Sequence, residues 1–249
     1  MIVYSNSCSF GEPKQGHEIY PEIIASYFNA DLVNKGRAGS CNRRIIRSTL
    51  RDLLDITQSN PDTEIMCLVG LSFIARTELW QPLIPAIDND GNFHPIKVGH
   101  ARLDWTGGLI DTLVKDIHLA LPEHTQEYYR QWLIHMSKEA IITDLMADIA
   151  MFKDFCQHNH VKLLLWSNAQ LWPCMPEVDV QDIFLRTFVQ HVVGDPSVID
   201  PWNFCFLDYA LSLGHRPRDE HKYGTTGHPG AAAHADFARY LIKRLKELS

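Results

Sequence analysis

Long apolar runs are absent from this chain of 249 residues. No stretch approaches the roughly 20 consecutive apolar residues that cross a bilayer, so we expect no membrane-spanning segment. No basic leader precedes the first apolar residues, and we therefore expect no signal peptide. Together these absences predict a cytoplasmic protein that has no membrane partner.

Cysteine patterns typical of metal centres are also lacking. No CxxC pair or Cys/His cluster has the spacing of a zinc site, so we expect neither a metal nor an organic cofactor. We interpret the six cysteines as reduced thiols; they are Cys8, Cys41, Cys67, Cys156, Cys174 and Cys205.

There is no basic excess either, because the formal net charge is −7 and the sequence pI is about 6.0. Nucleic-acid-binding proteins normally carry a basic surface, so we exclude a general nucleic-acid partner. The hydrophobic fraction of 45% and the charged fraction of 21% are those of an ordinary globular protein. A length of 249 residues suits a single domain, which we expect to span residues 1–249.

What the sequence does contain is an alternation of strand-like and helix-like segments. Apolar runs that predict strands lie at residues 2–4, 31–34, 65–71 and 161–166. Amphipathic patterns that predict helices lie at residues 18–28, 42–56 and 126–158, and from residue 229 onward. This order predicts a three-layer α/β/α fold of the flavodoxin-like type, with a parallel central sheet.

One region, roughly residues 81–123, breaks the alternation. It holds prolines, the turn sequences "DNDG" and "TGG", and scattered aromatic residues. A connection of this length is too long for a plain loop in a compact domain. We therefore predict a partly helical insertion that covers one end of the sheet.

Four polar segments lie where chemistry is expected, because ligands of open α/β sheets bind at the carboxyl ends of the strands. The first is "SNSCSFG" after the first strand, and the second is "NKGRAGSCNRRIIRST" after the second strand. The third is "VGLSFIARTELW" at the end of the third strand, and the fourth is "GHPGAAAHADFA" before the last helix. We expect all four to converge.

In their order these segments resemble the four blocks of the SGNH hydrolase superfamily, also called GDSL esterases and lipases. The first block is most similar to that of uncharacterised bacterial and phage members, which read G-C-S-F. By this resemblance Ser9 is the nucleophile, His228 is the catalytic histidine, and the amide of Gly39 contributes to the oxyanion hole. The chain departs from the pattern at Ser72, where the family has asparagine, and at Thr225, where it has aspartate.

The resemblance implies a serine esterase, in which His228 takes the proton of Ser9 and preorganised donors stabilise the oxyanion. Besides Ser9 and Gly39, the candidate donors are the Ser72 hydroxyl and Asn42, about one helical turn after Gly39. Asp219 or Glu220 is a possible substitute for the missing aspartate. The implied substrates are acyl or acetyl esters, and the polar insertion favours esters on carbohydrates.

Arg76 follows the third strand and is a candidate substrate-binding cation; a structural ion pair with Glu78 or Asp104 fits the sequence equally well.

Two functions other than a serine esterase remain open. The altered signature fits a catalytically impaired binding or assembly module, and the same residues would also allow acyl transfer to an acceptor. The sequence gives no oligomeric state.

Overall fold

The structure is a computed structural model. It describes residues 1–13, 16–37, 40–72, 138–168, 191–192, 194–200, 204–216 and 228–248, together with the backbone of five short strands between residues 76 and 113. The strands in chain order are β1 (Ile2–Ser7), β2 (Asp31–Asn34), β3 (Ile65–Leu71), β4 (Arg76–Leu79), β5 (Ala86–Ile87), β6 (Phe93–His94), β7 (Gly99–Leu103), β8 (Leu109–Leu113) and β9 (Lys162–Ser167). The helices are α1 (Tyr20–Phe28), α2 (Asn42–Ser59), α3 (Lys138–His158), α4 (Phe206–Ser212) and α5 (Ala231–Glu247).

The main sheet has four strands in the order β2-β1-β3-β9, and every neighbouring pair is parallel. All seven residues of β3 are buried, which explains its continuous apolar sequence: both faces of the strand are covered. Beyond β9 the sheet continues through single bridges to Val198 and Cys205, also parallel. The parallel central sheet predicted from the alternation is confirmed.

Two hydrophobic layers lie on opposite faces of this sheet. Tyr4 and Cys67 point to the layer built with α2 and α3, whereas their neighbours Val3 and Leu68 point to the layer built with α1, α4 and α5. Alternate residues of a strand face opposite sides, so each strand feeds both cores. The expected three-layer α/β/α architecture is therefore confirmed.

Helices α2 and α5 bring chemistry-bearing segments to the sheet because each has one apolar face. In α2 the buried side chains include Ile45, Ile46 and Leu53, which hold the start of this helix against the sheet. In α5 Phe237 and Leu241 are fully buried in the other layer. Ser40 and Cys41 before α2, and Pro229 and Gly230 before α5, are consequently held next to the sheet.

The insertion region contains short antiparallel strands. Within it β7 pairs with β8 and β5 pairs with β6, and β4, which lies just before the region, adds to the edge of β7. The described residues of the region are thus strands, and the helical part that we predicted for it lies outside the described residues. Among the helices of the described part, none is long and apolar enough to cross a membrane.

Candidate functional site at the carboxyl edge of the sheet

The first segment leaves β1 through a short 3-10 turn, Ser9–Gly11. The side chains on either side of Ser9 point inward, since Cys8 and Phe10 are both buried. Ser9 itself is partly exposed at the edge of the sheet. Packing of its two neighbours therefore leaves Ser9 partly exposed at the carboxyl end of β1.

The loop after β2 lies directly against this turn. The amide of Arg37 donates to the carbonyl of Ser7 (3.0 Å), and Asn34 Nδ2 donates to the carbonyl of Gly11 (3.0 Å). A Cβ atom on Gly36 would lie 2.3 Å from that same Gly11 oxygen. A glycine is required at this position because two backbones approach each other without room for a side chain.

The next described residue of this loop is Ser40, two residues before α2 begins. Ser40 is fully buried, and its Oγ donates to the carbonyl of Arg37 (2.8 Å). Gly39, which the family resemblance assigns to the oxyanion hole, lies outside the described residues. Arg37 and Ser40, on either side of residues 38–39, are joined by the bond from the Ser40 amide to the Arg37 carbonyl (3.2 Å).

The third segment is attached to α2 by a reciprocal amide pair. The backbone N–H of Ser72 donates to Asn42 Oδ1 (2.6 Å), and Asn42 Nδ2 donates to the carbonyl of Ser72 (3.1 Å). Both residues are buried. Asn42 therefore holds the backbone just after β3. The NH2 group of its side chain has a second hydrogen, which is the one that could bind an oxyanion.

The sequence reasoning missed Asn168, which directly follows β9. This residue is fully buried, and its Nδ2 donates to Ser7 Oγ at the end of β1 (2.8 Å). Its backbone amide donates to the carbonyl of Leu71 at the end of β3 (2.9 Å). The available signal was the polar "SN" pair that ends the buried run of the fourth predicted strand.

The last segment reaches the first one through two rings. The imidazole of His228 lies against the phenyl ring of Phe10, with 5.5 Å between the ring centroids. His228 is partly exposed, and the following Pro229 is buried, which places the histidine at the entry to α5. The candidate base thus lies beside the residue that follows the candidate nucleophile.

A second histidine, His234, lies in the first turn of α5, six residues after His228. It is fully buried, stacks on Tyr20 and packs near His17. Burial, together with the nearby His17 and His228, lowers the pKa of His234 to about 3. A lowered pKa makes His234 a weak base and its burial keeps it from substrate, so the partly exposed His228 is the better placed proton acceptor of the two.

The structure brings Ser9, Ser72 and His228 to one end of the molecule. Ser9 follows β1 and Ser72 follows β3; these are neighbouring parallel strands, so their carboxyl ends share one edge. Arg76 opens β4, where its backbone pairs with Arg102. Thr225, Asp219 and Glu220 lie outside the described residues.

The described side chains at this edge offer a hydroxyl, an imidazole and several amides. Among the residues that the structure describes, no group of three or more His, Cys, Asp or Glu side chains is arranged to hold a metal ion. A partly exposed hydroxyl and a nearby imidazole are the two groups from which nucleophilic acyl transfer is built.

Comparisons with known proteins give distant similarities. No family model and no curated protein matches the sequence. Among solved structures, the chain is similar to the psychrotrophic esterase EstA from Pseudoalteromonas sp. (11% identity, 99% of this chain and 97% of that chain, TM-score 0.48). It is also similar to TesA (11%, 100% of both chains, 0.44) and to the acetylxylan esterase Axe2 from Geobacillus stearothermophilus (13%, 98% and 93%, 0.43). The fold class rests on the strand order and the two helix layers described above.

Proposed function

We propose that this chain is a serine esterase of the SGNH type, nearest to the members with a G-C-S-F first block. Ser9 is the nucleophile and His228 the general base. One observation carries the proposal: the turn that holds the partly exposed Ser9 at the carboxyl edge of a parallel sheet is the turn whose Phe10 packs against His228. These residues are far apart in sequence and meet at the edge where α/β folds bind ligands.

The proposed reaction has two steps. His228 removes the Oγ proton as Ser9 attacks the ester carbonyl carbon, and the resulting tetrahedral oxyanion collapses to acyl-Ser9 when the alcohol leaves with that proton. Water, deprotonated by His228, then releases the acid and regenerates Ser9. We propose that the backbone amides of Ser9 and Gly39 and the Ser72 hydroxyl stabilise the oxyanion, with the second amide hydrogen of Asn42 as a further donor.

His228 has no aspartate at the position where the family supplies one, because residue 225 is threonine. We propose that a backbone carbonyl or water orients the imidazole, so that a serine–histidine pair performs the chemistry. Asp219 or Glu220 would orient it instead if the triad were displaced along the chain.

The proposed substrates are acetyl or short acyl esters, with carbohydrate acetyl esters favoured by the polar, aromatic-bearing sequence of residues 81–123. Arg76 would bind the substrate. Neither metal nor organic cofactor is needed for this chemistry. We place the enzyme in the cytoplasm, as one domain that spans residues 1–249.

The decisive experiment is labelling with a fluorophosphonate probe, followed by mass spectrometry of the labelled peptide. We expect a single adduct on Ser9, no adduct in Ser9→Ala, and an adduct retained in Ser7→Ala, whose hydroxyl is buried at the end of β1. Hydrolysis of an activated acetyl ester should be abolished in Ser9→Ala, whereas Ser7→Ala should keep measurable turnover. An adduct on Ser7 or Cys8 would contradict the assignment of the nucleophile.

The two rival functions give different results in the same assay. An acyltransferase would label at Ser9 but transfer the acyl group to an added alcohol in preference to water, which product analysis detects. A binding or assembly module would show neither an adduct nor turnover in the parent protein.

A further inference from the structure

Asn168 is fully buried, and its side-chain and backbone polar atoms are all engaged. Its side chain contacts Ser7 and Trp166, its amide donates to Leu71, and its carbonyl accepts from the amide of Leu207 in α4 (3.0 Å). One residue therefore connects the ends of β1, β3 and β9 with a helix. Such a buried, fully satisfied polar group is costly to disturb.

The orientation of the Asn168 amide follows from chemistry. Trp166 Nε1 lies 3.0 Å from Oδ1, and an indole nitrogen can only donate. The atom facing the indole must therefore be the oxygen, which turns Nδ2 toward Ser7 Oγ at 2.8 Å and toward Cys8 Sγ at 3.6 Å. Asn168 thus donates to Ser7 and Cys8, the two residues that precede the Ser9–Gly11 turn.

This bond crosses over β3, which lies between β1 and β9 in the sheet. Gly70 is the residue directly beneath, paired with Ser7 on one side and Trp166 on the other. A Cβ on Gly70 would lie 2.5 Å from Asn168 Nδ2 and 2.9 Å from Ser7 Oγ. The glycine of the "GLS" sequence therefore leaves space for the Asn168–Ser7 bond.

We infer that Asn168 is a positioning residue for Ser9, acting through Ser7; the inference rests on the proposed function. Ser7 is the last residue of β1, and the turn that carries Ser9 begins two residues later. A bond from β9 to Ser7 Oγ fixes where that turn starts, and hence the distance between the Ser9 hydroxyl and His228. Misplacement of a reacting group by about 1 Å can lower a rate about 100-fold.

The test compares Asn168→Ala, Ser7→Ala and the double variant with two matched controls. Ser5→Ala changes an equally buried serine two residues earlier on β1, and Asn159→Ala changes an asparagine before the opposite, amino end of β9. We measure kcat and KM on an activated acetyl ester and the stoichiometry of the fluorophosphonate adduct, which counts the folded sites.

We expect kcat to fall about 10- to 100-fold in each single variant, with KM within about twofold of the parent. The kcat of the double variant should be no more than about threefold below that of the less active single variant, because both changes remove the same hydrogen bond. Both controls should keep the parent kcat. A purely structural role would lower the thermal midpoint and the number of labelled sites but leave kcat per labelled site unchanged.

Two outcomes overturn the inference in distinguishable ways. If the parent and both single variants label at Ser9 while kcat per site stays within about twofold, or if the losses multiply in the double variant, Asn168 does not position Ser9 through Ser7 and the proposed function stands. If the parent itself gives no Ser9 adduct, the proposed function fails and the inference fails with it. Should Asn168→Ala not fold, Ser7→Ala alone decides by the same kcat criterion.

Discussion

Asn42 and Ser72 are joined by two hydrogen bonds that run in opposite directions, 2.6 Å and 3.1 Å long, between the side-chain amide of one residue and the backbone of the other. The pair joins the first turn of α2 to the residue after β3. In the SGNH pattern that the sequence resembles, an asparagine at the position of Ser72 supplies a side-chain amide. Here an asparagine on the neighbouring helix fixes the backbone of that position instead.

Replacing Asn42 with alanine should lower the free energy of unfolding by about 2–4 kcal/mol, because it removes two buried hydrogen bonds to the backbone of Ser72. Urea denaturation measures this. The control is Asn60→Ala, an exposed asparagine after the other end of α2, which should change stability by less than about 0.5 kcal/mol. Equal losses of stability in the two variants would contradict a stabilising role of the Asn42–Ser72 pair.

Gly36→Ala should destabilise the protein by about 2–3 kcal/mol and reduce the proposed esterase activity, because the new Cβ would lie 2.3 Å from the carbonyl oxygen of Gly11 in the turn that carries Ser9. Gly230→Ala is the matched control, since a Cβ there meets no atom of the described residues within 4 Å. Its cost should stay below about 1 kcal/mol. A Gly36→Ala protein as stable and active as the Gly230→Ala protein would contradict the close approach of the two loops.

Stability should fall with acidification because of His234. Its pKa is about 3 in the folded protein against 6.5 ordinarily, chiefly because the ring is buried, with smaller contributions from His17 and His228. Between these values the unfolded chain binds the extra proton, so the contribution is complete above pH 6.5 and is lost as the pH falls toward 3. The slope from this one group approaches about 1.4 kcal/mol per pH unit.

Urea denaturation of His234→Phe between these pH values tests this expectation, and the variant should show a flatter dependence on pH than the parent. His158→Gln, at the exposed end of α3, is the control and should retain the parent slope. A parent slope that survives in His234→Phe would assign the acid sensitivity to other groups.

The missing aspartate gives a kinetic prediction. Asp219→Asn and Glu220→Gln should each change kcat/KM by less than about tenfold, whereas His228→Ala should cost far more. In triads that do contain an aspartate, its replacement by asparagine costs about 10,000-fold in kcat. The measurement is a pH–rate profile on a small acetyl ester, with Thr225→Asp included as the variant that restores the family residue and is expected to raise activity. A loss in Asp219→Asn comparable to that in His228→Ala would reveal a displaced triad.

The sequence by itself determined that helices cover both faces of a parallel sheet and that polar segments follow its strands. A buried strand such as Ile65–Leu71 is apolar throughout, and an amphipathic helix such as α2 repeats its apolar residues on one face; both patterns are local and readable. The positions of Ser9 and Ser72 after neighbouring strands follow from the same alternation, because parallel strands end at one edge. The family resemblance then suggested which serine and which histidine to consider.

Only the tertiary structure decided which side chains meet at that edge. The Asn168–Ser7 bond joins residues 161 positions apart, and it crosses a strand that leaves room for it at a single glycine. The Asn42–Ser72 pair and the contact between Phe10 and His228 likewise depend on how helices seat against the sheet. Hydrogen bonds between distant segments leave no period in the sequence, since each partner is one polar residue among many, and three-dimensional packing alone selects the pairs.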